Sequence, residues 1–214
     1  MLLDSRCAGC DRRGPVICRA CRLVLAVPPV PPGNGAVFAA VPFVGRARDV
    51  VLGYKYRNRR EVGHHLAGLL VNRLVSAGVR PGDLDVVTWA PTTRRRRRQR
   101  GFDQAELVAR RVALQLGLPC RRLLERDDDD RPQTGKDRIA RLGGPTFRPS
   151  PRAGGRRILV VDDVVTTGAT LRSAAEALHG GGARSVVQAA IATTPPAEHR
   201  SAGYRPRHRS LRAA

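Results

Sequence analysis

A hydrophobic run that meets two adjacent carboxylates and turns at once into a hydroxyl-rich, glycine-containing segment leaves few folds open to this chain. The run is Ile158-Leu159-Val160-Val161-Asp162-Asp163-Val164-Val165-Thr166-Thr167-Gly168-Ala169-Thr170-Leu171. Residues 157–161 (RILVV) predict a buried strand, and Leu171, Ala174, Ala175 and Leu178 predict the apolar stripe of a helix that Gly180 can end. Two carboxylates therefore stand at the end of a strand, ahead of a short loop and a helix N-terminus.

Such a turn suits a phosphate. N-terminal N–H groups of a helix lack partners and its dipole favours an anion, while Gly168 and Ala169 let the backbone come close. Thr166, Thr167 and Thr170 add hydroxyl donors. Asp162 and Asp163 would repel the phosphate itself, yet they can accept hydrogen bonds from ribose hydroxyls on the same ligand. An ordinary strand-turn-helix with Asp at the turn and Thr as N-cap is the simpler alternative. The carboxylate pair, the Thr-Thr-Gly loop and the apolar flanks occur together and in order, which favours the ribose phosphate reading.

The rest of the chain repeats the alternation of strand and helix. Residues 37–44 are apolar and β-compatible, and Val62, Leu66, Leu69, Leu70 and Leu74 recur at helical spacing. Residues 85–90 (DVVTWA) predict a short buried strand that runs into a basic loop. Asp103, with Glu106 three residues on, then starts a helix whose face is Ala105, Val108, Ala109, Val112 and Leu116. Residues 126–151 lack periodicity and read as a long loop, and 185–193 supply a further strand. Aromatic residues make up 4% of the chain and apolar residues 42%, so the core must be Val, Leu and Ala. The expectation is an α/β fold with a doubly wound, mostly parallel sheet, whose ligands sit beyond the carboxyl ends of the strands.

Three regions follow: 1–35, a cysteine module closed by a Pro/Gly linker; 36–195, the α/β domain; and 196–214, a basic tail expected to be disordered. Cys7-x-x-Cys10 and Cys18-x-x-Cys21 are two pairs separated by seven residues. Their spacing and number predict a structural Zn²⁺ site, saturated by four thiolates; a redox dithiol is the rival. Cys120 reads as a small hydrophobe, His64-His65 as a helix surface pair, and the acidic run 127–130 as a solvated loop. No apolar run approaches the roughly 20 residues needed to cross a bilayer, and the first residues lack a hydrophobic leader, so a cytoplasmic location is expected.

The formal net charge is +21, nearly all of it arginine, since Lys55 and Lys136 are the only lysines. Nucleic acid and small polyphosphates both qualify as partners, and a GC-rich coding sequence would also enrich arginine. Arg94-Arg95-Arg96-Arg97-Arg98-Gln99-Arg100-Gly101-Phe102-Asp103-Gln104 follows a predicted strand, on the same sheet edge as the phosphate loop. Arginines there would stabilise the charge that builds on a departing pyrophosphate, with Arg100 the favoured contact and Arg96 and Arg98 behind it. A solvated basic loop and a nucleic-acid patch are the alternatives; only Phe102 interleaves, which is thin support for base stacking.

The Asp-Asp-Thr-Thr-Gly run resembles the signature of type I phosphoribosyltransferases, which bind phosphoribosyl pyrophosphate with Mg²⁺. That resemblance implies Asp162 and Asp163 on the ribose hydroxyls and Thr166, Thr167, Gly168, Ala169 and Thr170 around the 5-phosphate. The cysteine pairs, Tyr54-Lys55-Tyr56, Arg100-Gly101-Phe102-Asp103-Gln104, Pro132-Gln133-Thr134-Gly135 and the Asp-Asp loop also fall in the order of the ComF family, over nearly the whole chain to about Pro195. Membership would imply a phosphoribosyltransferase-like protein tied to DNA uptake in natural transformation or to use of external DNA, beside a helicase-like partner. It would make Tyr54, Lys55 and Tyr56 part of the site, with Tyr54 against the substrate and Lys55 joining Arg100 as a catalytic group; a strand or helix edge with a snorkelling Lys is an equally simple reading. A non-catalytic adaptor that handles single-stranded DNA and retains the phosphate pocket is the other implied form. The chain departs from the family at Thr92-Thr93, at Asp103 where Asn is usual, and at Gly143-Gly144-Pro145-Thr146 before Phe147. These changes bear on the pyrophosphate and acceptor side and leave the ribose phosphate motif intact.

Overall fold

The computed structural model describes residues 5–26, 37–56, 61–127 and 144–195. The linker at 28–35, the 132–135 motif, most of the acidic run and the tail lie outside the described residues.

β5, Arg157–Val165, organises the molecule. Its side chains alternate in direction, and Ile158, Leu159, Val160 and Val161 are all fully buried, as expected of a strand covered on both faces. On one face, Leu159 and Val161 share a core with Leu66 and Leu70 of α3 (Val62–Ser76) and with Val108 and Val112 of α5 (Gln104–Leu116). On the other, Ile158 and Val160 meet Leu171, Ala174 and Leu178 of α6, Ala169–Gly180. Burying each such aliphatic side chain contributes about 1.5–3 kcal/mol. An exposed pair such as Arg110–Glu106 gives at most about 1 kcal/mol, so layer packing rather than charge pairing sets the fold.

β5 is flanked by β6 (Ser185–Thr193) and β2 (Val86–Trp89), and β6 in turn by β1 (Val37–Pro42). The order β1-β6-β5-β2 is parallel throughout, with Val161 level with both Trp89 and Ala189. All four carboxyl ends therefore share one edge. At the opposite edge Arg157 clamps Asp85: its backbone N–H and its guanidinium both donate to the carboxylate at 2.7 Å. These bonds draw the Asp85 pKa down to about 2.

Three expectations need correction. The arginine segment is not a loop but a helix, α4 (Arg94–Arg100), because Thr93 Oγ1 accepts the Arg96 N–H and Gly101 ends the helix at φ 76°. Arginine is itself a good helix former. The aperiodic stretch 126–151 is not wholly loop: its ends pair as an antiparallel hairpin of β3 (Leu124–Arg126) and β4 (Phe147–Pro149). β5 does not stop before the carboxylates, because pairing with β6 carries it on to Val165 opposite Thr193. The cysteine segment, too short for a core of its own, packs on the α/β domain. Ala8, Ile17, Cys21 and Leu25, the latter two on α1 (Arg19–Ala26), join the core of α3 and of α2, Gly45–Tyr56.

Candidate ribose phosphate site

Asp162 and Asp163 are adjacent near the carboxyl end of β5, followed by Thr166 and Thr167, both exposed, and by Gly168 at φ 77°. That positive φ is one a side chain would strain, and it turns the chain directly into α6. Thr167 Oγ1 accepts the Ala169 N–H at 3.4 Å, and the other N–H groups of the first turn have no partner within the helix.

The two carboxylates have different surroundings. Asp163 accepts from Lys55 Nζ at 2.7 Å, a pair with both side chains largely covered. Asp162 Oδ1 accepts the Asp163 N–H at 2.7 Å. Burial of its carboxyl, reinforced by the charge of Asp163, pushes the Asp162 pKa up to about 7, while the Asp163 N–H and Lys55 act in the opposite sense. A raised Asp162 carboxyl carries a proton more readily than an ordinary carboxylate, so it can donate to a ribose hydroxyl as well as accept from one.

These groups open on a cleft of about 400 Å³. Asp162, Asp163, Thr166 and Thr170 form one wall, and Lys55 and Arg96 project from other elements, so the structure brings together predicted residues from 55 to 170. Thr167, Gly168 and Ala169 shape the turn without lining the cleft. Tyr54 is a correction: only 1% exposed, its hydroxyl donates to the Gln104 carbonyl at 3.2 Å, so it supports the cleft from beneath rather than lining it. The side chain of Arg100 lies outside the described residues. The oxygen donors suit Mg²⁺, which keeps most of its waters and takes one or two carboxylates together with a ligand's phosphates.

Sequence reasoning missed Phe43, Leu52 and Arg126, which line the cleft together with Thr92 and Gln104. Asp103, expected as a cap and as a departure from the family on the pyrophosphate side, does more. Its carboxylate does accept from Ala105 and Glu106 at 3.1 and 3.4 Å, but its second oxygen takes the Thr92 N–H at 3.0 Å and ties the loop after β2 to α5. Burial raises its pKa, against the pull of those three N–H groups.

The four predicted cysteines converge. Their sulfurs all lie within 4.8 Å of one another, and Cys10 Sγ is 3.7 Å from Cys18 Sγ. Tetrahedral Zn²⁺ with bonds of about 2.3 Å would set sulfurs about 3.8 Å apart, so the cluster fits such a metal. Burial opposes ionisation of Cys7, yet N–H groups of Cys18, Cys10 and Gly9 and the Cys21 thiol bring its pKa to about 6. Burial and the neighbouring sulfurs raise that of Cys21. Four clustered thiolates need a cation to offset them, which is the chemistry of a closed structural site.

A parallel α/β sheet covered on both faces, with a carboxylate pair and a glycine turn at its carboxyl edge, defines a doubly wound domain whose ligands sit beyond that edge. The chain belongs to the phosphoribosyl transferase domain family, which it matches over residues 100–208. Among curated proteins none matches it. Among solved structures it is similar to glutamine phosphoribosylpyrophosphate amidotransferase from B. subtilis, with 21% identity, TM-score 0.44 and 67% of this chain covered. It is also similar to a purine phosphoribosyltransferase from Pyrococcus horikoshii (20% identity, TM-score 0.40, 62% of this chain and 74% of that one). A third similar structure is a hypothetical protein from Neisseria gonorrhoeae with bound ppGpp (16%, 0.42, 69% and 74%). The chain spans about a quarter of the amidotransferase, 27% of its length. No helix of the described residues is long and apolar enough to cross a membrane.

Proposed function

We propose that the protein binds phosphoribosyl pyrophosphate in the cleft at the carboxyl edge of the sheet and acts as a phosphoribosyltransferase. The observation that carries this reading is the joining of Asp162, Asp163, Thr166 and Thr170 in one cleft with Lys55 and Arg96. The turn before α6 receives the 5-phosphate, and the dyad holds the ribose hydroxyls. Lys55, 2.7 Å from Asp163, holds that carboxylate in place. Arg96, with Arg100 as the further candidate, faces the pyrophosphate as it leaves and gathers charge. Mg²⁺, when bound with the ligand, offsets the charge of its phosphates. The four cysteines hold structural Zn²⁺.

The sequence resemblance to the ComF family extends this reading to a cytoplasmic role in DNA uptake or use of external DNA beside a helicase-like protein. The net charge of +21 favours a second activity on single-stranded DNA, carried by the same molecule or, in an adaptor form, by a pocket that binds without transfer.

Calorimetric titration of the zinc-loaded protein with phosphoribosyl pyrophosphate and Mg²⁺ tests the reading, with Asp162→Asn/Asp163→Asn as control. Binding by the wild type that the double variant loses supports the site. Equal binding by both places the ligand elsewhere, and binding by neither removes the proposal.

A further inference from the structure

A second cleft, of about 510 Å³, lies beside the first and shares Thr92, Asp103 and Arg126 with it. Helical spacing divides the arginine run between them. Arg94 and Arg97, three residues apart on α4, line the second cleft, while Arg96 lines the first. α5 contributes Arg110, the segment after Cys120 contributes Arg121 and Arg122, and the β3–β4 hairpin contributes Arg126 and Arg148. Seven guanidinium groups thus face three carboxylates.

The carboxylates do not offset this excess. Asp103 is occupied by three backbone N–H groups, Glu106 by Arg110 at 2.8 Å, and Glu125 stands 4.0 Å from Arg122. Arg126 donates to the Pro91 carbonyl and sits over the Phe147 ring, and Arg148 pairs with Asp127 at 2.7 Å. Arg97 and Arg121 have no acidic partner among the described residues, and both are exposed. A concave surface with such a surplus of forked, permanently charged donors is matched by a ligand carrying several phosphates in a chain, which guanidinium groups can grip in pairs.

We propose that this cleft is a separate site for a small molecule bearing a polyphosphate chain, such as a nucleoside polyphosphate. Two observations favour that over a polynucleotide strand. The volume is that of a small-ligand pocket rather than an open track. Trp89, the one aromatic ring in the lining, is only 5% exposed and offers no open face on which bases could stack. Because the clefts share Arg126 and the Thr92–Asp103 tie, a ligand in the second touches a wall of the first. The inference stands on the arginine cleft alone and does not require that the first cleft binds phosphoribosyl pyrophosphate.

The test titrates inorganic triphosphate into the zinc-loaded protein at fixed ionic strength. Arg97→Glu/Arg121→Glu removes the two unpaired arginines, Arg12→Glu/Arg184→Glu makes the same charge change at exposed positions outside either cleft, and Asp162→Asn/Asp163→Asn alters the first cleft. Melting curves confirm that each variant folds. The proposal expects wild-type binding that the Arg97/Arg121 variant weakens by at least about tenfold, the worth of one charge-assisted contact, with the other two variants within about threefold of wild type. Comparison of triphosphate with ATP then reports whether the cleft reads a nucleoside as well as the chain. Unchanged affinity in the Arg97/Arg121 variant overturns the proposal, as does loss of binding in the Asp162/Asp163 variant. A thymidine 20-mer that binds through Arg97 and Arg121 while triphosphate does not would also overturn it, making the surface a strand track.

Discussion

Gly53→Ala separates intrinsic helix preference from the docking of the cysteine segment. Gly53 lies inside α2, where alanine in place of glycine would by propensity stabilise the helix by about 1 kcal/mol. Here the added Cβ would stand 2.7 Å from the Ala8 carbonyl oxygen, 3.1 Å from its Cβ and 3.3 Å from its Cα. Ala8 is fully buried beside Cys7, and the obstructing atoms are its backbone and the Cβ fixed to it, none of which can swing aside. Overpacking of this kind costs about 3 kcal/mol, at the upper end of its usual range. The net is a loss of about 2 kcal/mol, or a fall in Tm of about 4–8 °C for a chain of this size. Gly68→Ala on α3 is the matched control, since its Cβ would meet only Gln115, at 3.6 Å, an ordinary contact. It should raise Tm by about 2–4 °C. Calorimetric melts of both variants decide the matter: if Gly53→Ala stabilises as Gly68→Ala does, the cysteine segment does not dock on α2 as described.

Lys55→Met removes a charge that holds the Asp162 pKa down, so that pKa should rise above about 7. A raised carboxyl pKa gives stability that is present in acid and lost as pH rises through it, so the Tm deficit of the variant should widen from pH 6 to pH 9; a constant deficit would refute the coupling. Asp85→Asn has the opposite sign. The native carboxylate titrates at about 2 rather than 3.8, so its contribution is present above about pH 4 and fades towards pH 2, and the Tm gap between wild type and variant should close over that interval. A gap that persists at pH 2 would show that the Arg157 clamp does not depend on charge. Stripping metal from the cysteine cluster should release one equivalent of zinc to a colorimetric chelator and lower Tm by about 5–10 °C, as expected for loss of a ligand held at 100 times its Kd or more. A variant with Cys7, Cys10, Cys18 and Cys21 all replaced by Ser that melts like the wild type would refute a structural metal.

The parts of the fold that were legible carried their own local pattern. β5 could be read because its apolar run is unbroken, α6 because its apolar residues recur at three to four positions, and α5 because Asp103 and Glu106 mark its start. α2 was overlooked although Ala47, Val50, Val51 and Tyr54, all buried, make a helical stripe in plain sequence. α4 has no apolar residue to show a period, and its limits come from Thr93 and Gly101. The hairpin pairs residues more than twenty positions apart, which no local pattern reveals. Within the site, the motif at 162–170 supplied the phosphate and ribose wall. Tyr54 was misjudged because neighbours in sequence point about 100° apart on a helix, so Lys55 reaches the cleft while Tyr54 enters the core. Arg126 and the second bond of Asp103 depend on contacts that exist only once the chain has folded.

The strand order has a consequence for how the molecule comes into being. β1 has a single strand neighbour, β6, which lies near the far end of the described chain. During synthesis β1 therefore emerges with both edges unpaired and waits for about 150 residues before Gln188 can settle opposite Val37. β5 meets β2 earlier, yet its outward reach past Asp162 also rests on β6. The cleft is thus a late product of translation: a ribosome that stalls before residue 193 holds the ribose phosphate motif complete in sequence and unsupported in space. Long-range parallel pairing of this kind is slow and leaves strand edges open, which makes the interval before β6 arrives the one in which the nascent chain most needs protection from other chains.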